Sequence, residues 1–381
     1  MTTDDAEIRV AEAATGPLEN FRVENHYAAW QEREGVRVIV DFAFDDLGTL
    51  ELTPWERKGG SGAIINIPNR TLPNDAHVVE IKPGGSSEPE HHLYEEMVYV
   101  ISGRGATSIW VDEGNKQNFE WHQGSLFAIP LNASYQHFNA SGTEPARYIS
   151  VTNLPPMMRL FKDADFIFNS PHAFKGRYSG EGDYFSGAGK LYNRRVWESN
   201  FIPNAPDMPL HTWKERGAGG INVMLEMAKS VMGSHISEFP VGTYKKAHRH
   251  GPGAHLLILS GQGFSQLWQE GAEYRKADWH TGGMVVVPDD ACFHQHFNTG
   301  QVRARYLALR PGGMGGGGGG NWGGFDVSVK DGGNQLEYED EDKLIHEIFE
   351  AELAKNGAPC RMKAFVPWCT GEVGPTTERD T

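Results

Sequence analysis

The chain has 381 residues, a length that suits two domains, and 39% hydrophobic beside 22% charged residues excludes a disordered chain. Its 35 Lys and Arg against 50 Asp and Glu give a net charge of −15 without a basic stripe, which argues against nucleic acid and anionic membrane as partners. With 46 Gly and 21 Pro, the composition favours a turn-rich, all-β chain over a helical one.

Residues 1–55 read as an N-terminal arm with a helix at about 18–34. Its first residues are acidic and carry no apolar stretch, so a secretory leader is not expected. Three cysteines, Cys292, Cys360 and Cys369, show no paired metal-type spacing and no disulfide framework, which points to a reducing compartment. No run of ~18 apolar residues predicts a membrane span. The expectation is a cytoplasmic protein.

An internal repeat organises the rest of the chain. Ser102-Gly103-Arg104-Gly105 recurs 158 residues later as Ser260-Gly261-Gln262-Gly263. At the same offset Trp110 meets Trp268, Trp121-His122 meets Trp279-His280, Pro130 meets Pro288, and Arg147-Tyr148 meets Arg305-Tyr306. Residues 135–139 recur as 294–298, one residue further on. Each copy is built of short apolar runs broken by Gly, Pro and Asn, the pattern of a sandwich or barrel. The expected divisions are a first barrel at 56–155, a connecting segment at 156–220 lying across the barrels, and a second barrel at 221–311. Beyond them lie a Gly-rich tether at 312–324 and a helical segment at 325–381. Within the last, 342–355 reads as a helix with Leu344, Ile345, Ile348, Phe349 and Leu353 on one face.

The chemistry concentrates in the second copy. His248 and His250 stand two apart, so on a strand both imidazoles share one face, and His294 and His296 repeat that spacing. If the module closes on itself, the two pairs converge. With Gly261, Pro288 and Asn298 these residues fill two motifs, G-x5-H-x-H-x3,4-E-x6-G and G-x5-P-x-G-x2-H-x3-N, with one inserted residue. The chain resembles a bicupin, two tandem cupin (jelly-roll) β-barrels with short flanking helices. The motif's glutamate falls on Ala254, and His-Arg-His followed by alanine is similar to gentisate 1,2-dioxygenase and its ring-cleaving relatives. That resemblance implies Fe(II) held by His248, His250 and His294, with open positions for substrate and O2; imidazoles suit Mn, Ni and Zn as well. Three neutral ligands leave the ion's charge uncompensated, which favours an anionic chelating substrate.

Strand phase supplies the other candidates. His296 is a candidate proton acceptor, or else a core histidine; Arg305 is a candidate partner for a substrate carboxylate, although its counterpart Arg147 speaks for a structural role. Trp110, Trp268, Phe264 and Phe293 are candidate apolar walls, with core packing as the alternative. His255 alternates out of phase with Ala254 and is expected on the opposite face, a fourth ligand being the alternative. In the first copy Glu90, His92, Glu96 and Tyr135 take the four ligand positions, with His137 as a substitute. That barrel is expected to be vestigial, a second metal being the alternative; His91 is expected to face solvent.

The functional expectation is a mononuclear non-haem Fe(II) dioxygenase that cleaves a hydroxylated aromatic or diketone-like substrate with O2. A metal-dependent isomerase, lyase or decarboxylase is the first alternative, and a non-catalytic binding protein the second. A homo-oligomer is expected.

Overall fold

A computed structural model describes residues 24–68, 72–193, 195–288, 292–312 and 327–372. Most of the tether at 312–324 and the first part of the predicted N-terminal helix fall outside those residues. Four helices are described: α1 (His26–Glu34), α2 (Leu154–Phe161), α3 (Ala164–Asn169) and α4 (Lys343–Asn356). The first helix starts at His26 because Asn25 caps it, its side chain accepting from the Ala28 N–H at 3.2 Å. The last is bounded as its sequence predicts, by the Asp342 side chain at one end and Gly357 at φ 64° at the other. Leu344, assigned to its apolar face, is instead 47% exposed. None of the described helices is long and apolar enough to cross a membrane.

Apart from short 3-10 turns such as Glu56–Lys58 and Lys214–Arg216, the other described residues are strand and loop. In the first copy one large sheet runs in the order Arg37–Val40, Gly60–Asn66, Asp75–Ile81, Ala146–Thr152, Glu96–Ser102, Leu126–Ile129, Phe201–Ile202. A small sheet of Ser134–Asn139, Arg104–Trp110 and Gln117–His122 closes it. The second copy repeats the plan: Ile221–Glu226, Met232–Phe239, Ala304–Pro311, Ala254–Ser260 and Met284–Val287 form the large sheet. Arg275–His280, Gln262–Trp268 and Phe293–Asn298 form the small one. These are two jelly-roll barrels in tandem. The repeated turn glycines are needed where they stand: Gly103 and Gly261 adopt φ 86° and 90°, and a Cβ on Gly261 would lie 2.9 Å from the Ala304 Cα.

The barrels are joined by more than sequence. One buried cluster takes Val78, Met97 and Ile149 from the first large sheet and Ile236, Leu257 and Leu309 from the second. Each large sheet therefore has one face on its own barrel interior and the other on its neighbour, which explains the uninterrupted apolar runs in these strands. The segment between the barrels pairs with both: Phe201–Ile202 extends the first large sheet and Val196–Glu198 the second. The N-terminal arm also splits, with Arg37–Val40 on the first sheet and Ala43–Phe44 on the second.

Candidate metal centre

The two His-x-His segments meet because their backbones pair. His248 and His294 lie opposite one another, each N–H donating to the other's carbonyl, at 3.1 and 2.9 Å. Alternation then carries His250 to the same side. The ring centres stand 4.1 Å apart for His248 and His294, 4.8 Å for His250 and His294, and 5.6 Å for His248 and His250. One nitrogen from each falls within 4.8 Å of the others, compatible with a shared ion. His250 Nδ1 donates to the Pro252 carbonyl at 2.8 Å and His294 Nδ1 to the Cys292 carbonyl at 3.1 Å. A carbonyl only accepts, so Nε2 is the lone-pair nitrogen of both rings, the tautomer a ligand needs. His248 accepts from Arg216, whose Nη2 lies 2.7 Å from Nδ1 and 3.2 Å from Nε2; the guanidinium has to yield one of these to an ion.

Burial pushes all three imidazoles well down in pKa, His294 to about 3, and nearby Arg216 and Arg310 add to the effect. They are neutral at any physiological pH. Ala254, 1% exposed, contributes no carboxylate.

Beside the histidines lies a cavity of about 20 Å³ walled by Trp213, Met224, His235, Ser237 and Tyr306, with Arg216, Arg310 and the Lys245 amine as its basic groups. Lys245 Nζ donates to Ser237 Oγ at 2.6 Å and Tyr306 Oη at 3.4 Å. Burial, with Arg216 close by, holds its pKa well below the ordinary lysine value. Burial brings Arg310 down to about 10. A larger cleft of about 510 Å³ opens at the mouth of the first barrel between Arg57, Glu88, Glu90 and His91. None of the three histidines lines it, and Arg57 is held there by Glu34 at 2.7 Å.

Several expected roles change. Arg305 does not reach the cavity: its Nε donates to Glu238 at 2.7 Å and its guanidinium to the Pro206 and Met208 carbonyls. Tyr306 lines the cavity, so its strand neighbour Arg305 points to the other face. Arg147 does the same in the first barrel, on Glu80 and the Leu47 and Leu50 carbonyls. His296 Nδ1 is engaged by Ser265 Oγ at 2.8 Å, and Trp279 Nε1 donates to the same oxygen at 3.0 Å. His137 and Trp121 meet Thr107 in the same arrangement in the first barrel, threonine replacing serine, which favours the core-histidine role. Trp268 stacks on Phe293 and Phe264 on Phe297, so these rings pack rather than line the cavity. His255 lies opposite Ala254 as expected, but wholly buried between the barrels, 2.9 Å from Asn74 Nδ2. His91 is half-buried against Asn132 rather than free in solvent.

The first barrel holds a different chemistry in the same frame. Glu90 and Tyr135 pair through the backbone just as His248 and His294 do. Lys58, 1% exposed, places Nζ 2.9 Å from Glu90 Oε1, while Glu96 accepts from Tyr135 at 2.8 Å and contacts His92 Nε2 at 3.1 Å. Burial alone would raise the Glu96 pKa, yet the Lys58 charge and the His92 hydrogen bond hold it well below the usual range. An ammonium already supplies the positive charge that an ion would bring.

Three cavity residues escape the motif reading, and two have a signal. The repeat extends upstream: Trp55-Glu-Arg-Lys-Gly59 matches Trp213-Lys-Glu-Arg-Gly217 at the same offset of 158, which places Arg216 on Lys58. Period-2 alternation from Tyr306 reaches Arg310. Lys245 sits in an isolated bridge with Gly217, three residues before His248 and so out of phase with it, and carries no pattern.

Residues 77–152 match the Cupin domain family. The second barrel repeats this unit strand for strand, so the chain has a tandem cupin fold. A 98-residue stretch is 29% identical to a protein of Arthroderma benhamiae named probable oxalate decarboxylase, covering 24% of either chain, so the match spans about a quarter of that relative. Two structures of Bacillus subtilis oxalate decarboxylase, one at pH 4.6 and one concerned with its Mn(II) centres, align with a TM-score of 0.47 at 16% identity. They cover 72% of this chain and 77% and 78% of theirs. A likeness at that level carries neither metal nor substrate to this chain.

Proposed function

We propose that the second barrel is the active site of a metal-dependent decarboxylase or related lyase acting on a small dianion with adjacent oxygen donors. One observation carries the reading. His248 and His250, neutral and beside His294, line a cavity of about 20 Å³ together with Arg216, Lys245 and Arg310, and no carboxylate is among its lining residues. Such a cavity holds roughly one water, so any substrate must open it, and a compact dicarboxylate or 2-oxo acid asks for the least movement. The relative matched over 98 residues is named for oxalate, the smallest dicarboxylate.

The donor set fits a divalent ion, with Nε2 of His250 and His294 presented as lone pairs and His248 beside them. It does not select among Fe(II), Mn, Ni and Zn. When bound, the ion would act as a Lewis acid that draws charge from the carbon losing CO2. Arg216 and Arg310 hold carboxylate oxygens and orient the scissile bond. The closed wall of Trp213, Met224 and Tyr306 excludes water. Lys245 stands where it delivers a proton to the carbon as CO2 departs with the bond broken, and Tyr306 and Ser237 hold its Nζ for that transfer.

A second reading, dioxygenase cleavage of a hydroxylated aromatic or diketone, is favoured by Ala254, which leaves the metal face without a carboxylate. The first barrel then serves as a support whose cation is built in. A homo-oligomer has to use surfaces other than the large sheets, which cover one another within the chain.

The test is the metal-reconstituted full chain with oxalate, malonate, 2-oxo acids and hydroxylated aromatics, recording CO2 and O2 together. CO2 release from a dianion without net O2 consumption supports the proposal. O2 uptake stoichiometric with loss of an aromatic substrate, and inert dianions, overturns it in favour of the second reading.

A further inference from the structure

We infer that the C-terminal segment carries a second metal site, a structural zinc(II) site formed by His346, Glu350, Cys360 and Cys369. Nothing in the repeat or its motifs includes these residues, and the site stands independently of the reaction in the barrel.

The four donors come together from two elements. His346 and Glu350 are four apart on α4 and so share a face. The chain turns at Gly357 and folds back along the helix, bringing Cys360 and then Cys369 against that face. All four donor atoms lie within 4.8 Å of one another. The separations are 3.5 Å between the sulfurs, 4.0 Å from Cys360 Sγ to His346 Nε2, and 3.1 Å from His346 Nε2 to Glu350 Oε1. A tetrahedral zinc with ordinary Zn–S, Zn–N and Zn–O lengths sets these distances at roughly 3.8, 3.6 and 3.4 Å. The donors already stand close to the edges of that tetrahedron. Two thiols and an imidazole, joined by one carboxylate, fill all four positions, the closed coordination of a structural rather than a catalytic zinc site.

The surroundings hold the donors in this arrangement. His346 Nδ1 lies 3.3 Å from Tyr244 Oη, whose hydroxyl donates to Glu341, so the ring is oriented with Nε2 toward the cysteines. The Gly371 N–H donates to Cys369 Sγ at 3.4 Å, a bond that stabilises a thiolate. A side chain on Gly371 would place its Cβ 2.5 Å from the Cys360 carbonyl oxygen and 2.9 Å from the Cys360 Cβ, forcing the two cysteine strands apart. His346 and Cys369 are 3% and 7% exposed. A disulfide explains less: the sulfurs are farther apart than the ~2.05 Å of a bond, and a disulfide gives His346 and Glu350 no reason to converge.

The position suggests what the site does. On its apolar side α4 packs Ile345, Phe349 and Leu353 against Tyr244, Phe264 and Phe297 of the second barrel. Just before it, Glu341 accepts from Gln295, the residue between His294 and His296. Zinc at this place would lock the returning coil onto α4 and so brace the strand that carries His294.

Cobalt(II) distinguishes the two sites, because only thiolate ligation gives intense near-ultraviolet charge-transfer absorption, and the barrel site has imidazoles alone. The full-length reduced chain, stripped by chelator, is titrated with Co(II) and then with Zn(II). The expected result is a thiolate charge-transfer band that saturates at about one equivalent and is abolished by zinc. Cys360→Ser with Cys369→Ser should lose that band and one zinc per chain, while the barrel keeps its own metal. Absence of the band in the wild-type chain overturns the inference even if the variant fails to fold. So does a Cys360–Cys369 disulfide that forms as readily in excess zinc as without it.

Discussion

Lys58 and Arg216 stand 158 residues apart at the same place in the two barrels, and each touches the first position of its motif. Lys58 Nζ lies 2.9 Å from Glu90 Oε1, and Arg216 Nη2 lies 2.7 Å from His248 Nδ1. Where the cation meets carboxylates, the charge is balanced inside the protein. Where it meets neutral imidazoles, the motif positions themselves bring no negative charge, a setting that suits an anionic substrate. One substitution pattern at matched positions thus separates a closed barrel from an open one.

Removing the ammonium should therefore expose the first barrel's carboxylates to each other. Lys58→Met leaves Glu90 and Glu96 buried without their cation, and a cost of about 3–5 kcal/mol is expected from urea unfolding. Adding Mn(II) should recover part of that loss, since an ion can replace the ammonium. A variant as stable as wild type would show that Lys58 does not balance these carboxylates.

For the second barrel, His250→Ala or His294→Ala should remove the barrel metal while the chain stays folded, at a stability cost of about 1–3 kcal/mol. Inductively coupled plasma analysis of the purified variants reads this directly. Full barrel-metal occupancy in either variant contradicts the three-histidine assignment.

The metal-free protein should be acid-sensitive from the near-neutral range. Burial depresses His137 and His255 to about 4 and His294 to about 3, below the ordinary 6.5. The unfolded chain binds protons at these sites first, so their stabilisation is complete above pH 6.5 and is lost as pH falls toward the folded values. Three such groups give a slope of roughly 4 kcal/mol per pH unit near pH 5. Glu341, raised to about 8 by burial, acts in the opposite sense: its contribution is full below its unfolded value and fades as pH rises through 8. Urea midpoints at pH 5, 6 and 7 without metal check the slope. A flat profile would mean that these histidines are not buried neutral.

Much of this architecture is legible in the sequence, for reasons of periodicity. A repeat at fixed offset fixes a tandem architecture, and strand alternation puts His248 and His250 on one face. The same alternation, continued from Tyr306, assigns Arg310 to the cavity and Arg305 away from it. Alternation also places His255 on the correct face, but its burial depends on how two sheets stack, which no local pattern encodes. The four donors of the C-terminal site are invisible in the sequence for a similar reason. Helix spacing joins His346 to Glu350, yet only the fold-back after Gly357 brings two cysteines nine residues apart beside them.

Arg305 and Arg310 should separate cleanly in a functional assay. Arg305→Leu breaks the pair with Glu238, so unfolding stability should fall by about 2–4 kcal/mol with barrel metal and substrate affinity unchanged. Arg310→Leu removes a cation from the cavity wall and should weaken binding of a dianion about 10- to 100-fold, the worth of a charge-assisted hydrogen bond. Isothermal titration with oxalate or malonate on metal-loaded protein distinguishes them. Equal losses for both variants would remove the basis for placing the substrate between Arg216 and Arg310.

Ala254 offers the sharpest test of what the open metal face is for. It sits on the inward face of its strand, paired with Val287, where the motif has a glutamate. In Ala254→Glu a carboxylate is an acceptable ligand for the same ions, so the barrel metal should be retained. The new charge also occupies one open position and cancels part of the field set by Arg216 and Arg310. Substrate affinity should thus fall more than metal affinity if the reaction needs a dianion chelated on an uncompensated ion. Metal content per chain and anaerobic binding of the dianion, measured on the same preparation, decide between the outcomes. Retained metal with weakened binding and lost turnover fits a site completed by its substrate. Unchanged binding and turnover would mean that the excess positive charge is not what recruits the substrate, and the proposed division between the two barrels would lose its physical basis.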